Sequence, residues 1–414
     1  MEGGAVAKLL VIADDLTGAL DSGVQLAGKG DRVLVSLDMQ NGLEHAPEAD
    51  VLVIDSESRH DAPEEAYRKV SDLVREGLAR GVAHIYKKTD SGLRGNVGAE
   101  LAAVIDASGA THLNFVPAYP KQQRTTEQCV HYVAGVPLAK SIFSADPVNP
   151  VTCSNVGDLI HQQCDVSVAS WAGEPGGNGI VVFDCTTDED MRGIAAWLQD
   201  NDPSAPMAGC AGLLEMLPPC SDGTDAQQAP AALDPRLVVV SGSVNAVTSE
   251  QLDEAENRGA YRAHLPIRDI LAHGWSRDDA AAFVDETIAS AGANPVILID
   301  TLGTHLCREE ISDGDAARRI SDAAGLCAAV MSGRADRTTM IVGGDALVGF
   351  TQEVGASLLE PVDELFPGIV VARYEGTKAS GTVITKSGAF GNSGLFHEIH
   401  QALEEKAGGE LSCR

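Results

Sequence analysis

Short runs of Val, Ile and Leu recur along this chain, and several stop abruptly at Gly, Asp or Ser. In the first half they are LLVIA (9–13), RVLVSL (32–37), VLVID (51–55), HIYKK (84–88), HLNFV (112–116) and GIVVFD (179–184). In the second half they are LVVVSG (237–242), PVILID (295–300), TMIVGG (339–344) and TVITKSG (382–388). Runs this short and this rich in Val and Ile suit strands buried on both faces of a parallel sheet. Helical patterns lie between several of them. Ala62–Arg80 opens with Pro63, Glu64 and Glu65, a proline at the first position and acids in the first turn. Asn96 is placed to cap VGAELAAVIDA, and Asp188–Gln199 reads as a further helix. The alternation predicts two α/β domains with mainly parallel sheets and a cleft between them.

PPCSDGTDAQQAPAALDP (218–235) is rich in Pro, Asp, Gln and Ala and has no apolar periodicity. It reads as a linker between a domain over 1–217 and a second over 236–414. AGEPGGNG (172–179) reads as a surface loop.

With 44% hydrophobic and 22% charged residues, each half has enough apolar sequence for a core. Acidic residues outnumber basic ones 60 to 30, for a net charge of −30. A nucleic-acid footprint and a membrane-surface role both need a basic face, so neither is expected. An anionic ligand would need its own basic pocket against a repelling field. The nine cysteines include no CxxC pair, and an odd number suggests thiols in a reducing compartment. MEGGAVAKLLVIA lacks the basic-then-apolar order of a secretion signal, and no apolar run reaches the about 20 residues that span a bilayer. The expectation is a cytoplasmic protein with small-molecule ligands.

Ligands of open α/β sheets bind beyond the carboxyl ends of the strands. In the first half those ends carry DDLTG (14–18), DSESR (55–59), KKTDSGLRGN (87–96) and PAYPKQQR (117–124). This set joins carboxylates and hydroxyls to Arg59, Lys87, Lys88, Arg94, Lys121 and Arg124, a mixture that suits a small polyhydroxylated anion. In the second half the ends carry SGS (241–243), DTLGT (300–304), GGD (343–345) and KSGAFG (386–391), turns whose N–H groups can approach phosphates. Together they describe a kinase. Each piece has a plainer reading: SGS and GGD as tight turns, Arg94 or Lys87 in a surface ion pair. Asp14 and Asp15 are open to three roles: metal ligand, general base, or cap of the helix starting near Leu16–Gly18.

In order and spacing these residues resemble the four-carbon acid sugar kinases. The resemblance rests on IADDLTGALDSGVQLAGKG, DSESR, KKTDSGLRGNVGAEL, RTT…VHYVAGVPL and FSADPVNPV, then on VVVSGSVNAVTSEQL, GGD and VITKSGAFG. It implies an N-terminal domain for the acid sugar and a C-terminal domain for ATP. The implied reaction moves the γ-phosphoryl group to the terminal hydroxyl of a four-carbon sugar acid. The family's acids are D-threonate, D-erythronate and 3-oxo-tetronates, and DSGVQLAGKG looks most like the D-threonate branch. Carried over by position, Asp14 and Asp15 face the substrate, one of them as base. Arg59, Lys88, Asp90, Ser91, Arg94 and Asn96 line the acid site. Ser241, Ser243, Gly343, Gly344, Asp345, Ala346, Lys386 and Gly388 hold ATP. ATP implies Mg²⁺, for which no ligand set is evident, and a homodimer is one open assembly state.

The chain departs from the family's usual wording at Gly92 and Ala346, where Thr is usual, and at Gln123 and Cys129, where Gly is usual. A missing hydroxyl at 346 predicts one hydrogen bond fewer to the nucleotide, worth about 0.5–1.5 kcal/mol. Gly92 and Gln123 bear on which acid is accepted. Two other readings stand beside the kinase: a non-catalytic sugar-acid-binding regulator with a decayed kinase site, and a metal-dependent phosphatase with Asp14 or Asp15 as nucleophile.

Overall fold

LLVIA is buried along its whole length and forms β1 (Leu9–Ala13), the strand around which the first unit is built. The computed structural model describes residues 6–146, 148–174, 177–221, 233–302, 314–334 and 336–411. They fall into two units, Met1–Gln228 and Ala229–Arg414. Parts of the expected linker (218–235), of the loop at 172–179 and of DTLGT (300–304) lie outside the described residues.

In the first unit β1 is followed by β2 (Val33–Ser36), β3 (Val51–Asp55), β4 (His84–Lys88) and β5 (His112–Val116). A separate antiparallel sheet comes next, formed by β6 (Arg124–Glu127), β7 (Val130–Val133) and β8 (Val136–Pro137). Then β9 (Val168–Ser170), β10 (Gly179–Val182) and β11 (Met207–Gly209) complete the main sheet, in the order β2-β3-β1-β4-β11-β5-β10-β9. Every pairing in it is parallel. The helices are α1 (Leu16–Ala27), α2 (Pro63–Ala79), α3 (Val97–Ser108), α4 (Val156–His161), α5 (Asp188–Asn201) and α6 (Ala211–Met216). They pack in two sets, α2 with α3 and α4, and α1 with α6 and α5. Ala13 stands opposite Asp55 on β3 and Lys88 on β4, so three polar strand ends share one edge.

The second unit holds β12 (Leu237–Ser241), β13 (Tyr261–His264), β14 (Val296–Asp300), β15 (Thr338–Val342), β16 (Ala356–Phe366), β17 (Ile369–Gly376) and β18 (Ser380–Lys386). Their order is β13-β14-β12-β15-β18-β17-β16. All pairings up to β18 are parallel, and β17 runs antiparallel to both β16 and β18. Its helices are α7 (Ala246–Asn257), α8 (Ile267–His273), α9 (Arg277–Ala291), α10 (Gly314–Ser332), α11 (Gly344–Val354) and α12 (Leu395–Leu411). Leu237, Val239, Leu298, Met340 and Val342 pack with Leu252 of α7 and with Phe396, Ile399 and Leu403 of α12. The alternate residues Val238, Val240, Ile297, Ile299 and Ile341 are equally buried, which is why these strands are apolar without a break.

Both units place their first strand between the third and fourth, with the second outside the third. In such an order the chain leaves the first strand to one side and enters the fourth on the other. The crevice between their carboxyl ends is the natural ligand position. Among the described residues no helix is long and apolar enough to cross a membrane.

Candidate active site

Asp15 is the N-cap of α1. Its Oδ1 accepts from Gly18 N at 2.9 Å, and its Oδ2 accepts from Thr17 Oγ1 at 2.8 Å. Capping is therefore one of its roles, and Arg59 shows that it is not the whole of it. Arg59 Nε donates to Asp14 Oδ2 at 2.7 Å, and its Nη1 donates to Asp15 Oδ2 at 2.7 Å. A third carboxylate, Asp90, lies 3.6 Å from Nη2. Burial would lower the Arg59 pKa, but Asp14 and Asp15 outweigh it and hold the guanidinium well above its ordinary range. For Asp15 burial pulls upward, and Arg59 and Lys88 outweigh it, so the carboxyl titrates below its ordinary value.

Arg59 is aimed by its loop. Ser56 Oγ donates to Ala13 O at 2.6 Å and pairs with Ser58 Oγ at 2.8 Å. Asn96 Nδ2 donates to Ser58 O at 2.8 Å and Asp61 O at 2.9 Å. Asn96 stands at the N-cap of α3 as expected, but its side chain makes no capping bond; it pins the arginine loop from behind instead. Gly95 has φ +82, and a β-carbon there would lie 3.0 Å from Arg59 O, so glycine meets two demands at once.

Lys88 is 3% exposed, and among the described residues its ammonium makes no hydrogen bond or ion pair. Lys87, next along β4, points to the opposite face. It pairs with Glu100 at 3.0 Å, fully buried, and donates to Lys88 O at 2.8 Å. The surface ion pair allowed for Lys87 is thus a core one, and Lys87 leaves the site. Lys121 pairs with Glu215 at the surface.

Asp90 is wrapped by donors: Gly92 N at 3.1 Å, Arg94 Nε at 2.8 Å and Arg94 Nη2 at 3.0 Å. Burial acts to raise its carboxyl, and Arg94 and Arg59 prevail, leaving it well below the ordinary range. Arg94 Nη1 reaches Asp146 at 2.9 Å, a partner that sequence reasoning missed. Ser91 is buried, and its carbonyl meets His131 Nε2 at 3.1 Å. A carbonyl only accepts, so Nε2 carries the proton and Nδ1 takes the Thr126 hydroxyl at 3.0 Å. Burial lowers the His131 pKa to about 4, so this brace is neutral.

In the second unit Ser241 ends β12, and its Oγ accepts from Ser243 N at 3.3 Å. Ser243 Oγ accepts from Asn245 N at 3.2 Å, and Asn245 caps α7. Gly343 is the N-cap of α11 with φ +107, and Gly344 and Asp345 form its first turn. A β-carbon on Gly388 would overlap Ser243 Oγ, so the two loops meet only because that residue is glycine. Lys386 is 1% exposed; its Nζ donates to Ser387 O at 2.8 Å and Gly388 O at 3.3 Å and lies 3.5 Å from Thr248 Oγ1. Free N–H groups at a helix start, a close backbone and a buried cation form a fitting cradle for phosphates.

Ala346 lies in the first turn of α11, beside the SGS turn. It is 1% exposed and faces inward, where a β-carbon on Gly242 would come within 2.9 Å of its methyl. A side chain larger than alanine at 346 would press on Gly242 of that turn. Asp300, at the start of DTLGT, is taken up by Arg262 at 2.6 Å, His264 at 2.8 Å and Leu302 N at 2.7 Å. Among the described residues no group of three or more His, Cys, Asp or Glu is gathered to hold a metal.

Two family models match the chain. The sugar-binding N-terminal domain matches residues 9–217, and the nucleotide-binding C-terminal domain matches residues 238–396. A D-threonate kinase of Salmonella typhimurium is 30% identical, with 96% of this chain and 99% of that protein aligned. The chain belongs to the four-carbon acid sugar kinase family. A further member of that family, a D-erythronate kinase of Heliobacterium modesticaldum, is also 30% identical, over 94% of this chain and 95% of the relative. A crystal structure of a Salmonella typhimurium LT2 protein aligns with TM-score 0.74 at 22% identity, covering 94% of this chain and 98% of that one. At that identity the likeness bears on the fold alone.

Proposed function

We propose that this member of the family is an ATP-dependent kinase that phosphorylates the terminal hydroxyl of a four-carbon sugar acid, D-threonate or D-erythronate. The observation that carries this reading is an ionised carboxylate, Asp15, close to a buried lysine, Lys88, that has no carboxylate within 4.0 Å among the described residues, at one strand-end crevice. A hydroxy acid suits both groups, with a hydroxyl to offer the carboxylate and a negative charge for the lysine. The first unit binds the acid and the second binds ATP, with the boundary within 218–235. Free thiols at the seven described cysteines agree with a cytoplasmic setting.

Asp15 is the base. Its side chain is 22% exposed against 3% for Asp14, so of the two carboxylates that hold Arg59 it is the one a substrate can reach. In the step, the hydroxyl oxygen bonds to the γ-phosphorus, the bond from that phosphorus to the β–γ bridging oxygen breaks, and the proton passes to Asp15. A loose phosphoryl-transfer transition state asks little basicity, so a carboxylate with a lowered pKa suffices. Arg59 fixes the direction of the carboxylate, and the start of α11 with Gly388 and Lys386 holds the phosphates. Asp345, exposed in the first turn of α11, suits a Mg²⁺ bound mainly through phosphates and water. That ion, when bound, neutralises the charge that develops on the leaving oxygen.

ADP formation from Mg-ATP against D- and L-threonate, D- and L-erythronate and longer aldonates tests the reading. Turnover on a four-carbon acid is expected. Silence across the panel from folded protein, or phosphate release without ATP, would overturn it. One observation weighs against the non-catalytic reading: the buried cations Lys88 and Lys386, which a decayed site would be free to lose, are both kept.

A further inference from the structure

Four cations gather at the carboxyl edge of the first unit: Arg59, Lys88, Arg94 and Arg124. Two of them are matched, Arg59 by Asp14 and Asp15 and Arg94 by Asp90 and Asp146. The other two are not. Among the described residues neither Lys88 nor Arg124 has a carboxylate within 4.0 Å. Both are more than nine-tenths buried, at 3% and 7% exposure. A buried charge without a counter-ion is costly, so a pair of them in one unit calls for an anion.

Arg124 is built to wait for one. Its backbone is locked by reciprocal hydrogen bonds with Tyr119 at 2.8 and 3.0 Å. Nη1 donates to Gln122 O at 2.6 Å, which occupies that end of the guanidinium. Nε is buried and has no acceptor among the described residues. The edge left over, Nε with Nη2, is one that grips a carboxylate through two parallel bonds. The guanidinium lies over Phe143, 5.6 Å from the ring centroid, and Arg94 lies over the same ring at 5.0 Å. Phe143 is held by Gly92, where a β-carbon would stand 2.7 to 2.8 Å from three ring atoms. One departure from the family's usual wording thus seats the ring that positions the arginine.

The two unmatched cations also act on a common neighbour. Burial pushes the Cys210 thiol up to about 11, and Lys88 and Arg124 both pull against that rise. They therefore serve the same region of the edge.

We infer that Arg124, together with Lys88, anchors the carboxylate of the substrate and gives the site its preference for sugar acids over neutral polyols. This rests on the kinase reading above, and the test separates the two. Wild type, Arg124→Met and Arg124→Lys are assayed with D-threonate and D-erythronate and with the corresponding alditols, threitol and erythritol. Binding of the two acids in the absence of ATP is followed by calorimetry. For Arg124→Met the KM for the acid is expected to rise about 10- to 100-fold with kcat within a few-fold. The kcat/KM for the alditol stays unchanged, so the acid preference collapses, and Arg124→Lys recovers part of it. If Arg124 merely braces the β6–β8 sheet, acid and alditol kinetics fall together with the melting temperature, and the inference is overturned. Acid binding that survives Arg124→Met overturns it as well. Acid binding in wild type that is lost in Arg124→Met, with no turnover in either, supports the anchor while sinking the kinase reading. Wild type that binds neither acid overturns both.

Discussion

The ammonium of Lys88 lies across Gly18, 2.7 Å from where a β-carbon on that glycine would stand. The same carbon would lie 2.5 Å from Asp15 Oδ1. Gly18 belongs to α1, and in a helix interior alanine is ordinarily better than glycine by about 0.5–1 kcal/mol. Here the methyl would press on both charged groups of the site, and the contact decides the sign. Gly18→Ala is expected to keep its helix content and raise the KM for the acid about tenfold, a loss of about 1.4 kcal/mol. Steady-state kinetics beside circular dichroism checks this. An unchanged KM would separate Lys88 from substrate binding.

Asp15→Asn keeps one acceptor oxygen, enough for the cap bond from Gly18 N, and Asp14 still holds Arg59, but the amide cannot take a proton. The variant is expected to fold, to melt within a few degrees of wild type, and to lose about 10²–10⁴ in kcat, the range of a general base. Because Arg59 and Lys88 hold the wild-type carboxyl below its ordinary value, it stays ionised throughout the neutral range. Wild-type kcat should therefore show no acidic limb from this group above the ordinary carboxylate pKa. A variant with full turnover would remove Asp15 from the chemistry.

What the sequence revealed follows from where burial is two-sided. The parallel strands read clearly because both faces are covered, so β1 and β12 are apolar at every position or nearly so. ASLLEPVDELF carries acids and Pro361 and pairs with β17 through three irregularities, so β16 offers neither an apolar run nor a clean alternation. The site was legible at DDLTG, DSESR and KTD because polar residues break the pattern at strand ends. Lys87 was misread because successive strand residues face opposite sides, which sends Lys87 to Glu100 and Lys88 to the crevice. Asn96 holds the expected N-cap position without a side-chain cap bond because its amide is drawn to carbonyls 38 and 35 residues away. Asp146 and Phe143 return to the site through long-range folding that no local pattern records.

Asp90 links the site to acid stability. Its folded pKa lies well below the ordinary value of 3.8, with Arg94 and Arg59 overcoming burial. A depressed carboxyl contributes stability above its unfolded pKa and loses it as pH falls through the folded one. Asp90→Asn is expected to cost about 3 kcal/mol at pH 7, the lower end for a broken buried pair, since both arginines keep another carboxylate. Urea unfolding of the two proteins should show that difference narrowing below about pH 3.9. A gap that stays constant through that range would show the carboxylate's charge to be irrelevant.

Ala346→Thr restores the family's usual residue, and intuition expects tighter ATP binding. The burial of Ala346 against Gly242 argues otherwise. Added atoms in a packed core cost typically about 1–3 kcal/mol. The variant is expected to melt lower and to gain no affinity for ATP, read by thermal unfolding and by ATP titration. A lower Kd for ATP would place that side chain in the nucleotide site.

Lys386 makes the second unit sensitive to alkaline pH. Burial lowers its pKa to about 7 from an ordinary 10.5, and among the described residues no carboxylate pairs with it. The unfolded chain keeps this amine protonated up to about pH 10.4. Between those two values the unfolded state binds the extra proton, so stability rises with pH across the window. Below pH 7 both states are charged and the cost of burying the ammonium is full. Three pH units at about 1.36 kcal/mol each give a gain on the order of 4 kcal/mol between pH 7 and pH 10. Lys386→Met has nothing to titrate there, so the wild-type minus variant difference isolates the effect from cysteine and tyrosine ionisation. Chemical denaturation of both proteins at intervals across that range should show the difference rising with pH. A flat difference would mean that the ammonium stays charged in the fold, with an anion or water beside it.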